Sequence, residues 1–200
     1  MAPRNDVSEE RKTQILQAAQ ETFTERGFHK TRMTDIAEAS GLSKGALYWY
    51  FESKDSIILS LLDRVFEPEL QELKSLLKDE RSAEERLIIY AERGAEDIQN
   101  MLKWMPLVYE FFSLAFRRDA IKELISAFYQ TNMSLLEDLI QQGIDLGEFH
   151  ANSARAAAIA VGAIIEGTVM LWIYAPDEID IKAHILGNIH TLLVGLRSPD

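Results

Sequence analysis

Five residues within six positions, Lys44, Gly45, Ala46, Tyr48 and Trp49, could do chemistry by contact. At 100° per residue, a helix over 44–51 gathers Leu47, Tyr50 and Phe51 on one side. Gly45 and Trp49 fall opposite, flanked by Ala46 and Tyr48, with Lys44 at the N-terminal tip. The first side can be buried; the second then projects outward. An outward face of this composition suits the major groove of DNA. Gly and Ala permit close approach, and Lys44 can donate to guanine O6 and N7. Tyr48 and Trp49 can supply a phosphate hydrogen bond and an apolar contact with thymine methyls.

Such a helix needs positioning by its neighbours. The pattern predicts a preceding helix over about 33–40, with Met33, Ile36 and Ala37 inward. Gly41-Leu42-Ser43 is the break, because Gly takes the left-handed conformation that ends a helix. Ser43 then serves as N-cap of the second helix. Two helices joined by a short Gly-containing turn form a helix-turn-helix. A first helix is expected from Ser8 to Gly27, with Ile15, Leu16, Ala19 and Phe23 inward and Met1–Val7 disordered.

The run Gly27-Phe28, Thr31, Thr34-Asp35-Ile36-Ala37, Ala39, Gly41-Leu42-Ser43-Lys44-Gly45, Leu47-Tyr48, Tyr50-Phe51, Ser53-Lys54 resembles the DNA-binding domain of the tetracycline-repressor (TetR) family. The match covers about Glu9 to Leu62; beyond it only the helical organisation is similar. By position, the resemblance implies phosphate contacts from Thr31, Thr34, Ser43, Tyr50 and Lys54. It also implies an inducer pocket and a dimerisation surface in the second part of the chain. Ala46 and Trp49 stand where the family often has Thr and His, so no operator sequence carries over.

Composition allows this reading. The formal net charge is −11, yet residues 1–55 hold eight Lys/Arg against nine Asp/Glu, and the acidity belongs to the remainder. With no cysteine, disulfides and thiolate metal sites are excluded. The N-terminus has no apolar run for a signal peptide, so a cytoplasmic protein is expected. Ala156–Ala175 is long enough to span a bilayer but contains Glu166 and has no second span, so a buried helix is the expectation. His29, His150, His184 and His190 show no metal-ligand spacing, and neither P-loop nor dinucleotide fingerprint occurs. No cofactor is expected.

The rest of the chain is helical in pattern. Ser53 caps a connector whose apolar stripe runs from Ile57 to Leu77, with Pro68 expected to kink or interrupt it. Ser82 opens a helix to about Trp104 with a capping box, and Pro106 opens one to about Arg118. Asp119 caps one to about Gly143, and Leu146–Phe149 makes a turn. Asn152 or Ser153 caps the apolar helix, and Asp177 or Asp180 the last. Arg117-Arg118 reads as a solvated helix end.

The expected architecture is all-α. A three-helix DNA-binding domain occupies 1–55, and a helical ligand-binding and dimerisation domain occupies 56–200. The dimer surface is placed on the last two helices, through Gly162, Ala163 and Gly167 and the stripe Ile185, Ile189, Leu192, Leu193 and Leu196. The alternative is that these stripes close the monomer core. Trp104, Tyr109, Phe112, Phe116, Phe128, Tyr129 and Met170 are candidate walls for an apolar or aromatic effector, or ordinary core. Glu166, among Ile164, Ile165, Thr168, Val169 and Met170, either binds a ligand group or is a structural carboxylate. The function expected is a homodimeric regulator that binds operator DNA and is released by a small molecule, in the manner of a repressor. A helical small-molecule-binding dimer without DNA binding is the rival, and a bundle enzyme using Glu166 is the second; no paired base or nucleophile supports the latter.

Overall fold

The computed structural model describes residues 4–197. Helices follow in the order α1 (Arg4–Arg26), α2 (Met33–Ala39), α3 (Lys44–Tyr50), α4 (Lys54–Leu76), α5 (Ala83–Met101), α6 (Met105–Leu114), α7 (Asp119–Asp145), α8 (Ala154–Tyr174) and α9 (Ile181–Leu196). A single 3-10 turn, Leu102–Trp104, joins α5 to α6. The chain is all-α: among the described residues the only β contact is an isolated bridge between Phe149 and Arg197.

Caps explain most of the boundaries. Ser82 Oγ accepts from Glu85 N at 3.2 Å while Glu85 Oε2 accepts from Ser82 N at 3.0 Å, a full capping box for α5. Ser153, not Asn152, caps α8, and Asp180, not Asp177, caps α9. Ser53 and Ser56 cap the start of α4 reciprocally, each side chain taking the other's N–H at 3.2 Å. Three boundaries differ from expectation. Helix α1 starts at Arg4, ahead of Ser8; Met1–Pro3 lie outside the described residues. Helix α6 stops at Leu114, well short of Arg118. Helix α4 runs unbroken through Pro68. The hydrogen bond that Pro68 cannot make would have reached the Arg64 carbonyl, and both residues are exposed, where water replaces it.

Two compact units arise, and neither is contiguous in sequence. The first holds residues up to Phe66 together with Trp104–Ile125; the second holds Glu67–Lys103 together with the chain from Ser126. Helix α6 and the start of α7 thus pack with the first unit. Its core centres on Ile15, Phe23, Phe28, Ile36, Leu47 and Ile57. The core of the second centres on Leu73, Leu87, Leu136, Ile140, Val161 and Ile185. Ile185, Ile189, Leu193 and Leu196 of α9 are all buried inside this protomer core. Most of the α9 stripe thus closes the monomer core, the alternative to a dimer surface, and Leu192 is half-buried against it.

Helix α8 buries one face only. Ala154, Ala158, Val161 and Val169 are inside, while Ile159, Ala163, Gly167, Met170, Leu171 and Tyr174 are exposed at helical spacing. By length and composition this helix could cross a membrane, and against the expectation of a buried helix it buries only this one face. Buried Arg86 anchors the end of α4: its Nη1 donates to the Leu76 carbonyl at 3.1 Å and to Gln142 Oε1 at 2.6 Å. Glu148, in the turn after α7, accepts from Ala83 N at 2.6 Å and so caps α5 a second time.

Gly143 of α7 is pressed against this turn. A Cβ there would lie 2.4 Å from Phe149 Cδ2 and 2.8 Å from Ala83 Cβ. Gly143→Ala should therefore destabilise the protein by about 1–3 kcal/mol through overpacking, outweighing the roughly 1 kcal/mol that Ala gains in helix propensity. Gly94→Ala in α5, where nothing lies within 4 Å of the new Cβ, should not destabilise. Urea unfolding of the two variants checks the pair; equal midpoints would contradict it.

Candidate nucleic-acid interface

The break between α2 and α3 is set by hydrogen bonds. Gly41 has φ +67, a region that costs a side-chain-bearing residue energy. With Gly41 so placed, Leu42 N reaches back to the Ala37 carbonyl at 2.9 Å and Gly41 N to that of Glu38 at 3.0 Å, closing α2. Ser43 follows in extended conformation, and its Oγ accepts from Ala46 N at 3.1 Å to open α3. At the other end of α2, Arg32 offers no acceptor, so only the reciprocal half of a capping box forms. Arg32 N donates to Asp35 Oδ2 at 2.7 Å. Gly41-Leu42-Ser43-Lys44-Gly45 also has the spacing of a nucleophile elbow. Its setting between two helices, with Ser43 serving as a cap, is not the strand-turn-helix that such chemistry needs.

Helix α3 turns Leu47 fully inward and Phe51, its C-cap, nearly so. Lys44, Gly45, Tyr48 and Trp49 face out; Trp49 is 74% exposed and Tyr48 44%. Ala46 and Tyr50 are half-buried at the flanks. Trp49 and Tyr50 rings meet edge to face at 4.6 Å, and Lys44 Nζ stands 5.8 Å from the Tyr48 ring centre. Nothing lies within 4 Å of where a Gly45 Cβ would be, so the fold itself does not require Gly there. The open space is available to a ligand backbone. Thr34, Lys30 and Arg32, at and just before α2, are exposed as well.

Two residues carried over by resemblance do not join it. Thr31 is 1% exposed, and its Oγ1 donates to the Gly27 carbonyl at 2.9 Å. Its hydroxyl holds the α1–α2 corner and is withdrawn from solvent. Lys54 Nζ donates to the Phe28 carbonyl at 2.6 Å and lies 4.1 Å over the Phe28 ring. Burial, with Arg118 nearby, lowers the Lys54 pKa below the ordinary lysine value. Arg118 is not a solvated helix end: it is half-buried and ion-paired with Asp55.

The expected effector residues divide between the units. Trp104, Tyr109, Phe112 and Phe116 belong to the first, Phe128, Tyr129, Glu166 and Met170 to the second. Phe112 packs with Tyr109 and Phe66, ring centres 5.7 and 6.3 Å apart. Phe116 is 90% exposed in the turn after α6 and lines no interior. Met170 points out from α8. In the second unit the buried Phe128 ring lies 5.2 Å from that of Tyr129, whose hydroxyl donates to Glu166 Oε1 at 2.5 Å.

A polar network that sequence reading did not assemble lies in the same unit. Glu69 Oε1 accepts from the Tyr90 hydroxyl at 2.6 Å and from Asn132 Nδ2 at 2.8 Å; Tyr90 and Asn132 are each 3% exposed. The signal was present: Glu69 occupies an inward phase of the α4 stripe, between Phe66 and Leu73. Tyr129 and Asn132 are one turn apart on α7, so one face of that helix serves both carboxylates.

Burial pushes the Glu69 carboxyl above its usual range, against the two hydrogen bonds, and Glu166 adds repulsion. A carboxyl whose folded pKa is raised contributes stability that is present below the unfolded pKa and is lost as pH rises through the folded one. Glu69→Gln keeps the Oε1 acceptor for both donors and removes the charge. Its melting temperature should exceed that of the wild type at pH 8, and the gap should close as pH falls toward the ordinary carboxylate range. A gap that is constant or widens on acidification would contradict this assignment.

Comparison with known proteins agrees with this geometry. Residues 15–61 match the family model for bacterial regulatory proteins of the tetR family. Residues 83–194 match that for the C-terminal domain of BetI-type transcriptional repressors. The chain is 26% identical to the HTH-type transcriptional regulator TtgR of Pseudomonas putida over 96% of its own length and 94% of that protein's. Among solved structures it resembles SmeT, the repressor of the Stenotrophomonas maltophilia multidrug efflux pump SmeDEF. The TM-score is 0.79 at 21% identity, covering 94% of this chain and 90% of that one; SmeT is also known in complex with triclosan. It further resembles FadR of Bacillus subtilis in complex with stearoyl-CoA, with TM-score 0.76 at 22% identity, covering 92% and 98%. The exposed face of α3, set by the Gly41 turn and the Ser43 cap, is thus found within a chain that belongs to the TetR family of DNA-binding transcriptional regulators.

Proposed function

We propose that this protein is a ligand-released repressor that binds operator DNA as a homodimer through α3. The observation that carries this reading is the outward set of Lys44, Gly45, Tyr48 and Trp49 over a fully buried Leu47. Lys44 and the α3 aromatics read base edges, and Gly45 with Ala46 permits close approach. Thr34, Ser43 and Tyr50 are left for the phosphates. DNA binding falls to residues 1–55, effector binding and dimerisation to 56–200, and the protein works in the cytoplasm.

The effector is small and apolar or aromatic. Related structures hold triclosan, an aromatic ligand, and stearoyl-CoA, whose acyl chain is apolar. In this chain Phe128 supplies apolar surface, while Tyr129 with Glu166, and Tyr90 with Glu69 and Asn132, supply a few directional polar groups. The dimer surface is the exposed stripe of α8, Ile159 through Tyr174, continued on α9 by Gly187, Thr191 and Val194. Small residues at 163, 167 and 187 let a second copy approach closely, and the exposed Leu171 and Tyr174 are apolar surface that a partner would remove from water. Two half-sites about one helical turn apart would then be met by one dimer.

The test uses a duplex recovered from a random-sequence pool by the wild-type protein. Lys44→Ala should cost about 1–3 kcal/mol per half-site if it reads a guanine. Leu171→Glu should give folded monomers by sedimentation that bind the same duplex far more weakly. Recovery of no duplex, with small-molecule binding intact, would favour the helical dimer without DNA binding.

A further inference from the structure

Phe28 is the most heavily held residue of the first unit. It follows Gly27 at the corner between α1 and α2, where backbone groups have no helical partner. Its N–H donates to the carboxylate of Glu110 on α6, at 3.3 and 3.5 Å to the two oxygens. Its carbonyl accepts from Lys54 Nζ at the start of α4. Its ring, 1% exposed, has Lys54 Nζ at 4.1 Å and the Arg118 guanidinium at 5.5 Å from the centre. Phe23 and Phe111 meet the ring at 5.6 and 6.4 Å. Arg118 pairs in turn with Asp55, in the first turn of α4. Two cations and two carboxylates therefore surround one aromatic residue, and removing any one leaves an uncompensated charge in a half-buried site.

We infer that Glu110 and Arg118 are positioning residues for DNA recognition, holding the α1–α2 corner through Phe28; this rests on α3 being the DNA-reading helix. Helix α2 departs from that corner and carries α3 across the Gly41 turn. Phe28 is itself a core residue, but the Glu110 and Arg118 side chains that hold it are only half-buried and lie outside the apolar set of Ile15, Ile36, Leu47 and Ile57. Loss of the clamp thus frees the corner while the core stays packed. Base-edge contacts tolerate little displacement, so a looser corner lowers affinity out of proportion to stability. Glu110 and Arg118 lie outside the helix-turn-helix in sequence, on α6 and just before α7. A displacement of that segment would reach α3 through Phe28 and α2.

The experiment uses full-length protein, the recovered duplex, and the variants Glu110→Ala, Glu110→Gln, Arg118→Ala and Arg118→Lys. Each Ala variant should bind about tenfold more weakly, the size of one lost charge-assisted hydrogen bond. Arg118→Lys, which keeps a cation for Asp55 and Phe28, should recover most of the affinity. Glu110→Gln keeps the side-chain volume and one acceptor and should fall between. Amide exchange should quicken at Phe28 and along α2 and α3 in Glu110→Ala, with α5 and α8 unchanged, a pattern that general destabilisation would not give. Folded Ala or Gln variants with wild-type affinity overturn the inference, as does an Arg118→Ala loss that Lys fails to restore. A wild-type protein that recovers no duplex overturns the DNA-reading assignment instead, and is distinguished by failing before any variant is made.

Discussion

A seven-residue helix has almost no stability of its own, and α3 is such a helix. Nucleating it costs more than its few internal hydrogen bonds return. It persists because Ser43 satisfies one end and because Leu47 and Phe51 are buried in the unit around it. The outward face is then whatever remains on the opposite side. Every property of that face, including the exposure of Trp49 and the emptiness over Gly45, follows from the inward pull of those two side chains. The same dependence makes α3 sensitive to its supports. Helix α2 is as short as α3, so the longer α1, α4 and α6 must supply the rigidity.

Charge is used locally. The whole chain is strongly acidic, yet the helix-turn-helix region is close to neutral. Two of its cations already have partners: Lys54 on Phe28, and the exposed Arg26 beside Asp35 at 3.6 Å. Those left exposed beside α3 are few. The acidic remainder holds its own carboxylates in different ways. Glu84 and Glu72 pair with arginines at the surface, where such pairs contribute little. Glu69 is half-buried and its carboxylate takes hydrogen bonds from neutral Tyr90 and Asn132, which is costly and ties α4, α5 and α7 to one another.

Local signals in the sequence revealed the helices because caps and periodicity are local. Ser43, Ser82 and the Gly41 break each mark an element through chemistry within four residues, whereas Asp119, expected as a cap, is the first residue of α7 itself. The outward side of α3 was legible for the same reason. What needed three dimensions was pairing across distance. Nothing adjacent to Arg118 announces Asp55, 63 residues away, or to Glu110 the Phe28 amide, 82 residues away. Position in the motif implies phosphate contacts from Thr31 and Lys54, whereas the Thr31 hydroxyl is buried on the Gly27 carbonyl and Lys54 is drawn onto the Phe28 carbonyl at the α1–α2 corner. The α9 stripe was ambiguous for a further reason. Helical periodicity shows that a face is apolar and does not show whether the same chain or a second copy covers it; only the fold resolved Ile185 and Leu193 to the protomer core. On α8 the same ambiguity split, with one face inside and the other left exposed.

Hydroxyl-radical footprinting of the full-length protein, with and without a duplex it selects, tests the account most directly. Trp49 and Tyr48 are reactive side chains on the exposed face of α3, and Phe116 is an equally reactive one far along the chain that is 90% exposed. Oxidation of Trp49 and Tyr48 should fall sharply on adding the duplex, while Phe116 serves as an unchanged internal reference. Undiminished oxidation of Trp49 in a saturated complex would mean that DNA is read by some other surface.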